Sequence, residues 1–75
     1  MIPYANYGGN SGVRAYSLEA DAICVEFSDG ASYRYDVHCP GRHHVDMMIS
    51  LARGGSGLNS YINRYVRESY AARLR

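Results

Sequence analysis

Two short segments in which apolar and polar residues alternate constrain this chain more than any other feature. In residues 22–28 (AICVEFS) every second side chain is large and apolar, which is typical of a strand buried on one face. Residues 31–37 (ASYRYDV) alternate in the same way, and the intervening Ser-Asp-Gly indicates the turn of a hairpin. With a further strand before them, the sequence predicts a three-stranded antiparallel meander over about residues 13–17, 22–28 and 31–37.

The length of the hairpin loop decides on which face Tyr33 and Tyr35 lie. A two-residue turn would point both rings away from the apolar side chains of the preceding strand. A three-residue loop with a left-handed Gly30 would instead set Tyr33 opposite Val25. Tyr35 would then face Ile23, and all the large side chains would share one face. Because burying two tyrosines is worth about 2–4 kcal/mol, we favour the three-residue loop, which makes these rings part of the core.

Helical periodicity follows the sheet. Apolar residues recur at helical spacing over about residues 42–53 and, after a glycine-rich link, over about 58–68. The second stripe consists of Leu58, Tyr61, Ile62 and Tyr65. The sequence therefore predicts an α+β fold in which two helices cover one face of the meander. We expect a flexible lead-in over residues 1–11, a single domain over 12–70 and a basic tail over 71–75.

Length and composition limit the classes of function. A chain of 75 residues with 47% apolar and 20% charged residues is expected to form one folded domain too small for a deep active site. We therefore expect no enzymatic activity, no cofactor and no small-molecule substrate. The sequence lacks a long apolar run and a signal-peptide pattern at its start, which predicts a cytoplasmic protein without a membrane span. Its two cysteines are expected to be free thiols.

Positive charge is concentrated near the end of the chain. The net charge is only +1, yet residues 64–75 contain four arginines and a single glutamate. All eight basic residues are arginine, whose planar guanidinium suits phosphate contacts and stacking on rings. A bias of nucleotide composition towards arginine codons would explain the same count, and the sequence leaves both explanations open.

A run of potential metal ligands joins the sheet to the first helix. It contains His38, Cys39, His43, His44 and Asp46, all of residue types that bind zinc. Adjacent histidines on a helix project about 100° apart, and no second Cys/His pair lies at finger spacing. We therefore expect no metal site. A nucleophilic Cys39–histidine pair is also disfavoured, because so small a chain offers little room for a substrate pocket.

The order of these elements resembles the KTSC family, a short domain named for its occurrence at the C-terminus of some lysyl-tRNA synthetases. The resemblance covers roughly residues 11–70. It lies in Tyr16 before a turn, the strand ICVEF, the segment DGASYRY with the family's Tyr-x-Tyr at Tyr33 and Tyr35, and the stretch GSGLNSYI with Gly55, Asn59 and Ile62. The chain departs from the family at Gly57 and Leu58, where aromatic residues are usual, and at Asn63, where a basic residue is usual.

The resemblance implies a non-catalytic accessory domain that binds RNA. Together with the tyrosine content and the basic end of the chain, it indicates a binding surface that includes Tyr33, Arg34, Tyr35, Asn59, Arg64 and Arg67. In the favoured hairpin register, however, Arg34 projects from the sheet face opposite the two tyrosines. The alternative is a module that binds another protein or itself, because tyrosines are also enriched at protein interfaces.

Overall fold

The computed structural model, which describes residues 1–7 and 12–75, is an antiparallel sheet of five strands with two helices on one face. The strands lie in the sheet in chain order: β1 (Ile2–Pro3), β2 (Val13–Glu19), β3 (Ala22–Phe27), β4 (Ser32–Asp36) and β5 (Ala72–Arg73). Between β4 and β5 come helix α1 (Arg42–Gly54) and helix α2 (Leu58–Tyr61), which continues as a π-helical turn (Ile62–Val66). We call Leu58–Val66 the second helix. Within the described ranges, no helix is long and apolar enough to cross a membrane.

The hairpin has the register of the three-residue loop. Tyr33 pairs with Val25 and Tyr35 pairs with Ile23. The amide of Phe27 donates to the carbonyl of Ala31 at 2.8 Å, which closes the loop. Gly30 has a φ of 93°, a left-handed conformation that glycine adopts without strain. The prediction that both tyrosines share the face of the apolar β3 residues is therefore confirmed.

The predicted three-stranded meander omitted one short strand at each edge of the sheet. Strand β1 pairs with β2 inside the segment predicted as a lead-in, and β5 pairs with β4 inside the predicted basic tail. Two-residue strands carry no periodic signal, and their pairing depends on the free backbone groups of the outer strands. Residues 8–11 of the predicted lead-in lie outside the described part of the chain.

The core lies between the sheet and the helices. Tyr35 is the largest of its fully buried side chains and is only 1% exposed. The amide of Leu58 donates to the hydroxyl of the buried Tyr4 at 3.3 Å, which ties the second helix to the start of the chain. The remaining large, fully buried side chains are Ile23, Val25, Val45, Met48, Leu58 and Val66.

Tyr65 does not belong to the buried stripe of the second helix, contrary to the prediction. Its side chain is 55% exposed, and Val66 is fully buried instead. The cause is the π-helical turn, which has more residues per turn than an α-helix and rotates Val66 towards the sheet. The inward row is therefore Leu58, Ile62 and Val66, each four residues apart.

The phenol of Tyr35 predicts a loss of stability in alkali. Burial raises the pKa of Tyr35 to about 12, whereas a tyrosine in the unfolded chain titrates near 10. The unfolded state therefore loses its proton first, and the free energy of unfolding should fall between about pH 10 and pH 12. Urea denaturation across this range measures the effect. Tyr35→Phe, which has no titrating group, should show a shallower decline, and equal declines would contradict the assignment.

Candidate functional site

An open groove lies where the β3–β4 hairpin meets the end of the second helix. Its volume is about 380 Å³. We call it the Tyr33 groove, because this half-buried ring stands at its edge. Aromatic and apolar side chains line it together with an amide, a carboxylate and a guanidinium, namely those of Phe27, Asp29, Tyr33, Tyr35, Ile62, Asn63 and Arg67. The groove therefore combines ring surfaces with one arginine and one aspartate.

The aromatic wall of the groove is held in place by ring contacts. Phe27 meets Tyr33 edge to face, with ring centroids 5.8 Å apart. On its other side Tyr33 contacts Tyr70 at 4.6 Å between centroids. Since Tyr35 is buried, it contributes to the lining as part of the core, and Tyr33 is the better placed of the two for contact with a ligand. The hairpin and the chain end thus fix the orientation of one half-buried ring.

Two arginines are associated with Tyr33, Arg67 through the shared groove and Arg73, which does not line the groove, through a contact with the ring. Arg67 follows the second helix directly and lines the groove. Arg73 is paired with Tyr33 across strands β4 and β5, and its Cζ lies 5.5 Å from the centroid of the Tyr33 ring. A guanidinium at this distance makes a cation–π contact. The sequence did not indicate Arg73, Phe27 or Tyr70 as site residues. Arg73 and Tyr70 come near Tyr33 because β5 pairs with β4, and this pairing left no periodic signal in the sequence.

The ion pairs of the described residues all involve arginines of the sheet or of the start of α1. Arg34 donates to Glu19 at 2.6 Å and lies 3.8 Å from Asp36. The other two pairs are Arg14 with Glu26 at 2.9 Å and Arg42 with Asp21 at 3.4 Å. In the described part of the chain, five arginines form no ion pair with Asp or Glu: Arg53, Arg64, Arg67, Arg73 and Arg75. Two of these five are the arginines beside Tyr33.

Arg34 belongs to a polar network on the sheet face away from the helices. The hydrogen bond from Arg34 holds the pKa of the Glu19 carboxyl below its ordinary value, and the thiol of Cys24 donates to the same carboxylate at 3.4 Å. Burial and this carboxylate together raise the pKa of the Cys24 thiol. The structure therefore separates Arg34 from Tyr33 and Tyr35, as the strand alternation predicts.

The remaining two predicted site residues lie on the second helix. Asn59 is half-buried against Gly12, where an added Cβ would come within 3.3 Å of the Asn59 amide oxygen. Gly12 also borders the Tyr33 groove, so Asn59 lies behind its rim. Arg64 instead lies over the ring of Tyr65, with 5.5 Å between Cζ and the centroid. Of the six predicted residues, only Tyr33, Tyr35 and Arg67 line the groove together.

The Cys/His run does not converge on one point. Among the described residues, no three His, Cys, Asp or Glu side chains lie close enough to hold a metal ion. The thiol of Cys39 is directed at the carbonyl of Tyr70, 3.5 Å away. Nδ1 of His44 lies 2.7 Å from the hydroxyl oxygen of Tyr61. These side chains make contacts between elements of the fold.

The fold and the groove together define a small α+β domain with an open groove lined by aromatic rings, one arginine and one aspartate. Comparison of the chain with protein-family models, with curated proteins and with solved structures found no match. The resemblance to the KTSC family therefore stays a prediction, and the geometry of the chain itself has to indicate a function.

Proposed function

We propose that this protein is a non-catalytic domain that binds RNA through the Tyr33 groove. The observation that supports the proposal is a half-buried ring that shares its groove with Arg67 and is contacted by Arg73, neither of which has an Asp or Glu partner in the described structure. Stacking of a base on an aromatic side chain is worth about 1–3 kcal/mol and tolerates any base. The arginines would contact the adjoining phosphates.

The resemblance to the KTSC family that the sequence predicts agrees with the same proposal. A KTSC-type domain attached to a tRNA synthetase, or acting alone, would serve as an accessory RNA-binding module in the cytoplasm. Both cysteines are free thiols, a state that a reducing compartment would preserve. On this proposal Tyr33, Arg67 and Arg73 are the principal ligand contacts. Tyr35 supports Tyr33 from the core, and Arg34 stabilises the opposite sheet face.

Removing the two arginines beside Tyr33 should weaken RNA binding. Arg67→Ala and Arg73→Ala should each reduce affinity about fivefold, since an exposed charge contact contributes up to about 1 kcal/mol. Each should also lower the slope of log affinity against log salt by about 0.7, the value for one phosphate contact on a single strand. Fluorescence anisotropy with labelled single-stranded and hairpin RNAs, at about 50 mM and about 200 mM salt, measures both quantities.

Arg53→Ala is the matched control. Arg53 is exposed in the last turn of α1 and also has no ion pair in the described structure, so this variant changes the net charge equally. Its effect on affinity should be smaller than that of Arg67→Ala or Arg73→Ala. Equal losses in all three variants would show that only net charge matters, and the assignment of the groove would be wrong.

A second candidate is a module that binds another protein or a second copy of itself. Large apolar side chains are exposed near both edge strands: Met1 and Ile2 at β1, and Leu74 beside β5. Short edge strands limit, but do not abolish, pairing with another strand. Such an interface would change little with salt, whereas phosphate binding weakens steeply. Sedimentation of the protein alone at low and high salt tests the self-association form of this candidate, which a salt-insensitive dimer would support.

A further inference from the structure

A second group of rings lies where the second helix contacts α1. The rings of Tyr61 and Tyr65 are 4.8 Å apart between centroids and are inclined by 43°. The imidazole of His44, from α1, lies 5.8 Å from the Tyr61 ring and 6.4 Å from the Tyr65 ring. We call His44, Tyr61, Arg64 and Tyr65 the Tyr65 cluster. Its rings come from two helices that the hydrogen bond between His44 and Tyr61 joins.

The cluster exposes a ring that an ordinary α-helix would bury. The helical spacing from Leu58 and Ile62 places Tyr65 on the inward row, but the π-helical turn directs Val66 inward and leaves Tyr65 more than half exposed. An exposed tyrosine forgoes the favourable burial of a large apolar surface. Single π-helical turns are rare and occur frequently at functional sites. The local geometry therefore presents this ring to solvent.

Positive charge accompanies the exposed ring. Arg64 lies over Tyr65 and has no ion pair in the described residues, although Glu68 follows it by one helical turn. Asp46, two residues after His44 on α1, is exposed and also forms no ion pair there. The guanidinium is thus held by the ring and keeps its hydrogen-bond donors available for an anion.

The cluster and the Tyr33 groove lie on opposite sides of the same helix. Asn63 and Arg67, four residues apart, line the groove, whereas Tyr61 and Tyr65 form the row on the other side. Arg64 lies between the two rows, on the outward side, since Ile62 is buried beneath it. A helix with its side chains is about 10–12 Å wide, so one short extended chain can reach both rows.

We propose that the Tyr65 cluster is a second base-stacking site for the same RNA strand, with Arg64 and Arg67 contacting the phosphates between the two bases. The inference rests on the proposed function of the Tyr33 groove. The strand crosses the second helix with one base at Tyr33 and another at Tyr65. A ligand that occupies both sites needs about four nucleotides, the lower end of the range for single-strand binding domains.

Tyr65→Ala combined with ligands of two lengths tests the second site. Affinity for a single strand of about six nucleotides should fall about 5- to 150-fold, the range for loss of one stacking contact. Binding of a dinucleotide, which the groove alone holds, should stay unchanged. Tyr65→Phe keeps the ring and should retain the affinity for the longer strand. Because Tyr65 is exposed, amide NMR spectra should show that all variants are folded.

The outcomes separate the two proposals. If Tyr65→Ala binds the longer strand like the unmodified protein while Arg67→Ala binds it more weakly, the second site is wrong and the groove assignment stands. If the unmodified protein binds no RNA of either length, both proposals fail. If Tyr65→Ala alters self-association in sedimentation but leaves RNA affinity unchanged, the cluster is a protein interface and the inference is overturned.

Glu68→Gln provides an independent test, in which RNA affinity should rise instead of fall. Glu68 is exposed and lies four residues after Arg64, close to the proposed path of the phosphates. Removing its negative charge should tighten binding of the longer strand about two- to threefold and leave the dinucleotide unaffected. Weaker binding of the longer strand by this variant would contradict the proposed path.

Discussion

Replacing Tyr35 with alanine is expected to lower the free energy of unfolding by about 3–5 kcal/mol, the loss typical of a large core side chain. A domain of this size has a total stability of only about 4–11 kcal/mol, so a large fraction of the variant should unfold under mild conditions. The reason is the position of the ring, which is 1% exposed and the largest side chain fully enclosed between sheet and helices. Urea denaturation followed by circular dichroism measures the change.

Tyr35→Phe is the control for that experiment. It keeps the ring and removes only the hydroxyl, and no buried side-chain oxygen among the described residues lacks a hydrogen-bond partner in the unmodified protein. Near neutral pH the variant should therefore stay within about 1.5 kcal/mol of the parent. A loss of less than about 1 kcal/mol in Tyr35→Ala would mean that the hairpin register places this ring elsewhere than in the core.

Two neighbouring glycines at the end of α1 should respond to alanine in opposite directions. Gly55 has a φ of 77°, and a Cβ there would lie 2.7 Å from the Tyr7 ring and 2.8 Å from the Cβ of Ala5. Gly54 lies within α1, and a Cβ there would meet no atom within 4 Å. We expect Gly55→Ala to destabilise by about 2–3 kcal/mol, from left-handed strain and the clash together. Gly54→Ala should stabilise by up to about 1 kcal/mol.

The same pair of variants probes how the start of the chain is attached. The amide of Tyr7 donates to the carbonyl of Gly55 at 2.8 Å, so a displaced Tyr7 would weaken this hydrogen bond. Amide exchange at Tyr7 should accelerate in Gly55→Ala and stay unchanged in Gly54→Ala. Equal stability of the two variants in urea would show that the chain start does not pack against residue 55 as described.

The part of the fold that could be predicted from sequence is the part with local periodicity. Alternation in β3 and β4, together with the need to bury two large rings, was enough to choose the register of the hairpin. The helical periodicity of residues 42–53, carried by Val45, Met48, Ile49 and Ala52, likewise matches α1, where all of these but the half-buried Ile49 are buried. Both predictions succeed because the residues that form each buried face are close in sequence. The hydrophobic effect therefore produces a periodic pattern within a short segment.

The candidate site was predicted less completely. Tyr33 and Arg67 lie at the groove, but Arg34 faces the other side of the sheet and Arg64 belongs to the Tyr65 cluster. Arg73 was assigned to a basic tail because nothing in residues 71–75 indicates a strand. The missing information is long-range. Arg73, near the chain end, reaches Tyr33 only because β5 pairs with the free edge of β4.

The sequence by itself determined the α+β class, the order of the three main strands and two helices, and the face on which Tyr33 and Tyr35 lie, because these depend on periodic burial within short segments. Only the tertiary structure decided the pairing of β1 and β5, the outward rotation of Tyr65, the place of Arg67 in the groove and the contact of Arg73 with Tyr33. The strand pairings and the arginine positions depend on contacts between residues far apart in the chain, and the rotation of Tyr65 depends on a π-helical turn that the apolar pattern does not indicate.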